Sequence, residues 1–247
     1  MDKEKQYIIN DTLKTDLKEK GYIIIDNFYE INDILKMRNI ILYNMLVKKN
    51  MLSTGSKPNF LGDIRYHNLI PFLKLNEINK VMKNIFDGPY HFCSHNDIGL
   101  NRIVSWHKDT LNNDYKKYQK TDIWSEVNGE KHEIYKVLIY LQDNTLNDNG
   151  LTLIEGSHLD RNIHSNIHSN IQTNIHSNTL TSKIKTIHNK IGSIIIFDQR
   201  ITHRGQLHNI PGHRILISLG FGKNNIFTQE FEEGTIQRQY DQNMMIR

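Results

Sequence analysis

The chain contains a single cysteine, Cys93, in 247 residues. One thiol excludes an internal disulfide and fits a reducing compartment, so a cytoplasmic location is expected. No apolar run approaches the ~20 residues that a membrane-spanning helix needs, and a membrane is therefore not an expected partner. The opening stretch MDKEKQYIINDTLKTDLKEKG is charged and lacks the apolar segment of a secretory signal. Neither sign of charge dominates: Lys and Arg number 31, Asp and Glu 27, and the two signs are interspersed. Nucleic-acid binders gather their basic residues on one face, so nucleic acid is a disfavoured partner. Alanine, proline and arginine give way to Asn, Ile and Lys, a bias of codon usage that carries no chemistry.

What is present is a hydrophobic content of 38%, enough for one substantial core in a chain of this length. A single domain is expected over residues 1–247. Leu13 and Leu17 lie one helical turn apart, with Gly21 where a helix commonly ends. YIIIDNF (22–28) reads as a short buried strand. Residues 32–49 and the stretch NEINKVMKNIF carry helical apolar stripes, the second broken at Gly88-Pro89. From residue 90 the chain changes to short β-rich runs: YHFCSH, LNRIVSWH, YKVLIYLQD, GLTLIEGS, GSIIIFDQ and HRILISLGFG. Their spacing predicts a sandwich or barrel. The expected plan is α+β and mainly β, with helical support over about 1–89, a β-core over about 90–222 and a tail at 223–247. Residues 162–178, NIHSNIHSNIQTNIHSN, form a four-residue repeat. Histidines at that spacing share a helical face and are able to bind metal. Asn and Ser are poor helix formers, and no acidic or cysteine partner accompanies them, so the repeat reads as a loop insertion.

SWHKDTLN places His107 and Asp109 two apart. Non-haem Fe(II) oxygenases hold iron with two histidines and one carboxylate on one face, leaving three positions open. The second histidine must then come from a distant strand brought alongside. His203, just after the apolar strand 194–197, fits best. His208 and His213 compete, and the bland alternative makes all three surface histidines. Arg214 tips the balance. In RILISLG, Arg214, Leu216 and Ser218 share one face, and Ile215, Ile217 and Leu219 the other. An arginine opening an inward-facing row is costly unless an anion meets it. A dicarboxylate chelating iron at one end and pairing with Arg214 at the other satisfies both demands. The alternative is an internal salt bridge to Asp or Glu. If SWHKD extends a strand, Asn101, Ile103, Ser105 and His107 share a face, which makes Asn101 a candidate for holding co-substrate or substrate. Trp106 then packs on the other face. Lys116, Lys117 and Lys120 form a basic patch that reads as a solvated face.

WHKD (106–109), LQDNTLNDNGLTLIEGSH (141–158), GSIIIFDQRITHRGQLHNIPGHR (192–214) and GYIIIDNF (21–28) together resemble the phytanoyl-CoA dioxygenase family of Fe(II)- and 2-oxoglutarate-dependent oxygenases. The resemblance covers most of the chain. It implies a double-stranded β-helix, the jelly-roll core shared with cupins. It implies His107, Asp109 and His203 as iron ligands and Arg214 as the partner of the distal carboxylate of 2-oxoglutarate. The reaction implied is hydroxylation of a small-molecule substrate by O₂, with release of succinate and CO₂. Some relatives halogenate, with a small residue in place of the carboxylate; the retained Asp109 implies hydroxylation instead. The GSH of 156–158 is a family landmark without an assigned role. Members often carry a hydroxyl residue two places after the distal histidine; here that place is Gly205, and Ser218 is the candidate to compensate. A non-catalytic jelly-roll binding protein, or an oxygenase acting on nucleic acid, are the alternative readings.

Overall fold

A computed structural model describes residues 9–47, 55–109, 117–118, 120–146, 149–161, 183–205 and 213–245. The repeat at 162–178, Lys116 and His208 lie outside the described residues.

Helix α1 (Asp11–Lys20) begins where the Asn10 side chain accepts from the Leu13 N–H at 2.9 Å. It ends at Gly21, whose left-handed backbone returns its N–H to the Leu17 carbonyl. Strand β1 (Tyr22–Ile25) follows, then α2 (Ile31–Leu42), which runs into a π-turn at Tyr43–Val47. Strand β2 (Gly55–Pro58), two 3₁₀ segments and α3 (Leu75–Ile85) complete the N-terminal third. All six β-rich runs carry a strand: β3 (Tyr90–Leu100), β4 (Val104–His107), β7 (Ile134–Tyr140), β8 (Leu151–Ile154), β10 (Ile194–Asp198) and β12 (Ile215–Lys223). A small hairpin (β5, Glu126–Val127; β6, Glu130–Lys131) and two short strands (β9, Ile184–Thr186; β11, His203–Gly205) join them.

The strands form a six-stranded antiparallel sheet, β1-β10-β7-β12-β3-β2, and a four-stranded one, β4-β11-β8-β9. Alternation along each strand gives the large sheet two faces. Ile23, Val137, Ile139, Ile196, Ile217 and Leu219 point outward into the main core, against α1, α2 and α3. Leu138, Tyr140, Ile195 and Phe197 point inward, meeting Leu151 and Leu153 of the small sheet in a second core. The double-stranded β-helix is thus closed on one side by helices and encloses a cavity between its sheets.

The C-terminal segment departs from expectation. Residues 226–245, expected as part of a tail, form a helix, α4 (Ile226–Met245). Its buried positions include Thr228, Thr235, Arg238 and Gln239, so no apolar stripe announced it. It packs on β3. Among the described residues no helix is long and apolar enough to cross a membrane.

Candidate metal and co-substrate site

The two histidines owe their position to one register. His203 on β11 pairs directly opposite His107 on β4, and opposite Leu153 of β8 on its other side. Their rings stand 4.2 Å apart, centroid to centroid. Asp109 follows the end of β4, and its Oδ1 lies 3.5 Å from the Nε2 of each histidine. The ligating atoms of all three residues fall within 4.8 Å of one another. His107 Nδ1 lies 2.8 Å from the Ser105 carbonyl, and His203 Nδ1 lies 3.1 Å from that of Ile201. A carbonyl only accepts, so each Nδ1 carries the proton and each Nε2 turns its lone pair toward the centre. Burial and the neighbouring His107 push His203 down to about 4, which keeps it a neutral donor. Burial alone would raise the Asp109 carboxyl. His107, His203 and Lys136 around it outweigh that and hold it well below the usual carboxylate range. Two imidazoles and one carboxylate on one face fit a divalent iron with open positions.

The cradle is braced from behind. Fully buried Lys108 turns away from the centre, and its Nζ donates to the carbonyls of Ser157 (2.5 Å) and Arg200 (2.7 Å). Ser157 Oγ accepts from the Thr202 N–H at 2.8 Å, and the Asp109 N–H reaches the Gln199 carbonyl. The GSH stretch of 156–158 therefore ties the 107–109 segment to the 199–203 segment. Trp106 packs as expected, buried, with the Arg204 guanidinium 4.6 Å above its ring.

His107, Asp109, His203 and Arg214 all line one cavity of about 140 Å³. Arg214 is buried at 4% exposure and forms no ion pair with any described residue. Its Nε donates to the Asn149 carbonyl (2.6 Å), Nη1 to the Arg102 carbonyl (3.2 Å) and Nη2 to the Tyr140 hydroxyl (3.1 Å). Gly205 is what makes room: a Cβ there would stand 2.9 Å from Nη2. Tyr140, on the strand beside β12, places a hydroxyl against Arg214 where Gly205 offers none.

Two expected participants stand elsewhere. Ser218 lines the cavity, but its Oγ meets His95 Nε2 at 3.2 Å and not Arg214. Three residues separate it from Arg214 along an extended strand, too far to share one small anion. Asn101 does not line the cavity. A bend separates it from β4, which starts only at Val104, and Ile103 is exposed at 66%. The Asn101 side chain is committed to the Arg214 N–H (2.7 Å) and His213 Nδ1 (2.9 Å), so it fixes the start of β12. His213 is not among the described residues whose ligating atoms converge. Lys120 pairs with Glu233 at the surface, and Lys117 lies over the Tyr118 ring.

Sequence reasoning missed Lys136. It is 2% exposed, with Nζ 3.9 Å from Asp109 Oδ2 and 4.9 Å above the Phe231 ring. The alternation of YKVLIY puts it on the inward row with Leu138 and Tyr140, the same signal that singled out Arg214. Its burial pulls the ammonium's pKa down.

No family model matches the chain, and no curated protein matches it. Solved structures do. HygX from Streptomyces hygroscopicus, with nickel and 2-oxoglutarate bound, superposes with a TM-score of 0.64 at 12% identity, covering 87% of this chain and 88% of that one. AviO1 from Streptomyces viridochromogenes Tue57 gives 0.63 at 13% identity, over 89% and 97% of the two chains. EctD from S. alaskensis, with 2-oxoglutarate and 5-hydroxyectoine, gives 0.62 at 13%, over 87% and 76%. At such identities the likeness establishes the fold alone, a jelly-roll.

Proposed function

We propose that the chain is an Fe(II)- and 2-oxoglutarate-dependent oxygenase that hydroxylates a small molecule, of the kind that the phytanoyl-CoA dioxygenase resemblance implies. The observation that carries the reading is a buried Arg214, with no carboxylate partner among the described residues, opening onto the same cavity as a His-Asp-His face. A buried guanidinium without a counter-charge is costly, and a dicarboxylate spanning the cavity relieves it. His107, Asp109 and His203 would hold ferrous iron, which supplies O₂ activation coupled to conversion of 2-oxoglutarate to succinate and CO₂. The chain's own groups bind and orient. Arg214 takes the distal carboxylate, and Tyr140, whose oxygen accepts from Arg214, has its proton free to donate to that carboxylate. Val104, Leu151 and Leu216 flank the path between the two ends and exclude water. Asp109 would fill the position that chloride needs for halogenation. A neighbour that holds hygromycin B and one that holds 5-hydroxyectoine both support a small-molecule substrate.

Anaerobic addition of Fe(II) and 2-oxoglutarate to the full chain should give a visible charge-transfer band, and O₂ should then release succinate. A protein that binds neither iron nor 2-oxoglutarate would fail this reading and leave a non-catalytic jelly-roll.

A further inference from the structure

The path from the metal ligands to Arg214 uses only part of the cavity. Gly205 pairs with Val104 and Leu151, and Tyr140 with Leu216, so these residues surround the Arg214 end. The remaining wall is built by β12, β3 and β2. Ser218 stands opposite Asp97, and Gly99 stands between Leu216 and Ser56. His95 lies two residues before Asp97 on the same inward row and bonds Ser218 through Nε2. Ser56, His95, Asp97 and Ser218 all line the cavity. Ile98, between them in sequence, turns its side chain into the main core. Beyond Leu216 at its Arg214 end, and with Ile98 turned mainly into the main core, the side chains this wall offers are polar.

We infer that the β12–β3–β2 wall is the subsite for the substrate, and that it takes a small molecule presenting O–H or N–H donors in place of a hydrocarbon chain. The inference rests on the oxygenase reading. Asp97 is the main reason. Its carboxylate is held by Arg238 of α4, whose Nη2 lies 3.2 Å from Oδ1 and 3.0 Å from Oδ2. A single nitrogen serves both oxygens, and a carboxylate accepts about four hydrogen bonds, so acceptor capacity is left facing the cavity. An acyl chain laid against it would strip that carboxylate of water without replacing the bonds. A hydroxyl or amine replaces them. Arg238 is itself buried at 3% exposure, so the carboxylate is fixed in place before any ligand arrives. The α4 helix, through Arg238, is in this way part of the substrate wall.

The test uses the Fe(II)–2-oxoglutarate chelate of the full chain and reads the shift of its visible band, together with succinate released above background. Three probe sets are added: erythritol and myo-inositol, glucosamine, and hexanoate with octanoyl-CoA. A response to the polyols supports the proposal with hydroxyl donors, and a response to glucosamine alone supports it with amine donors. Ser56→Leu, on the edge strand, should fill the wall and abolish that response while the chelate band remains. Asp97→Asn should raise half-saturation at least tenfold. Because it leaves Arg238 without its counter-charge, the double variant Asp97→Asn/Arg238→Gln keeps a neutral bonded pair and is expected to do the same. A response strongest to the acyl set overturns the proposal, as does a donor response untouched by these variants, or none to either donor set in a protein that forms the chelate. Failure to form the chelate defeats the oxygenase reading itself.

Discussion

The two faces of the six-stranded sheet are made by the same strands and obey opposite rules. Outward, β1, β7, β10 and β12 present Ile, Val and Leu to the helices, all buried. Each contributes roughly 1.5–3 kcal/mol by burial, and neighbours of similar shape can replace one another. Inward, beside the apolar Leu138, Ile195, Phe197 and Leu216, stand Lys136 and Tyr140 on β7, His95 and Asp97 on β3, and Ser218 on β12, with Arg214 just ahead of β12. Burying these polar groups costs stability, and none can be exchanged without losing a particular contact. The outer face holds the sheet together; the inner face spends part of that stability on chemistry.

The sharpest way to break this contrast is at the three proposed metal ligands. His107→Ala or His203→Ala should abolish succinate formation and iron binding while the thermal transition stays within a few degrees of the unmodified protein. Asp109→Ala should abolish activity and also lower stability, because Lys136, 3.9 Å away, is left buried without its counter-charge. Full turnover in His203→Ala would show that the third ligand lies elsewhere.

The reverse experiment belongs to the outer face. Ile217→Ala, at a fully buried position in the central strand β12, should cost about 2–5 kcal/mol of stability. The fraction that stays folded should bind 2-oxoglutarate as before. Denaturant unfolding gives the first number and titration of the chelate band the second. An altered co-substrate affinity would mean that the two faces are not independent.

Arg214→Leu turns one inner position into an outer-type residue. Loss of a charge-assisted, bidentate contact should cost about 2–4 kcal/mol of 2-oxoglutarate binding, roughly a thirty- to several-hundred-fold rise in half-saturation. The requirement for iron should change little. Unchanged affinity for 2-oxoglutarate would place the anion elsewhere.

The same contrast explains what the sequence made legible. The outer face and the six principal strands could be read from apolar alternation alone. The proposed metal ligands could be read because two of them are local and the third follows a strong strand. Arg214 stood out as a charge on an inward row. Lys136, His95 and Asp97 carried that same signal and were passed over, since no ligand chemistry called for them. Helix α4 was illegible for a different reason: apart from Phe227, its buried positions are Thr228, Thr235, Arg238 and Gln239, and a mainly polar interface leaves no hydrophobic period. Asn101 was misassigned because its role depends on a bend between β3 and β4, with a left-handed backbone at φ 49°. Extending one strand through that bend assumed it away.

Gly205 gives the smallest and most discriminating effect, because it asks how tightly the inner face is fitted. Its backbone lies outside the left-handed region, so replacing it with alanine strains nothing in the main chain. The added Cβ would stand 2.9 Å from Arg214 Nη2, closer than such contacts normally allow. A free arginine would swing aside at little cost. This one is pinned by Asn149, Arg102 and Tyr140, so making space stretches at least one of those bonds. A weakened hydrogen bond is worth about 0.5–1.5 kcal/mol net, which corresponds to roughly a two- to twelvefold weaker 2-oxoglutarate. Iron affinity, set at the other end of the cavity, should not move. Gly205→Ser separates crowding from chemistry: its hydroxyl can accept from Nη2 and should recover part of what alanine loses. Titration of the chelate band in both variants reads the result. Alanine binding 2-oxoglutarate as well as glycine would show that the Arg214 pocket yields freely, and that the inner face is not built to the tolerance its contacts imply.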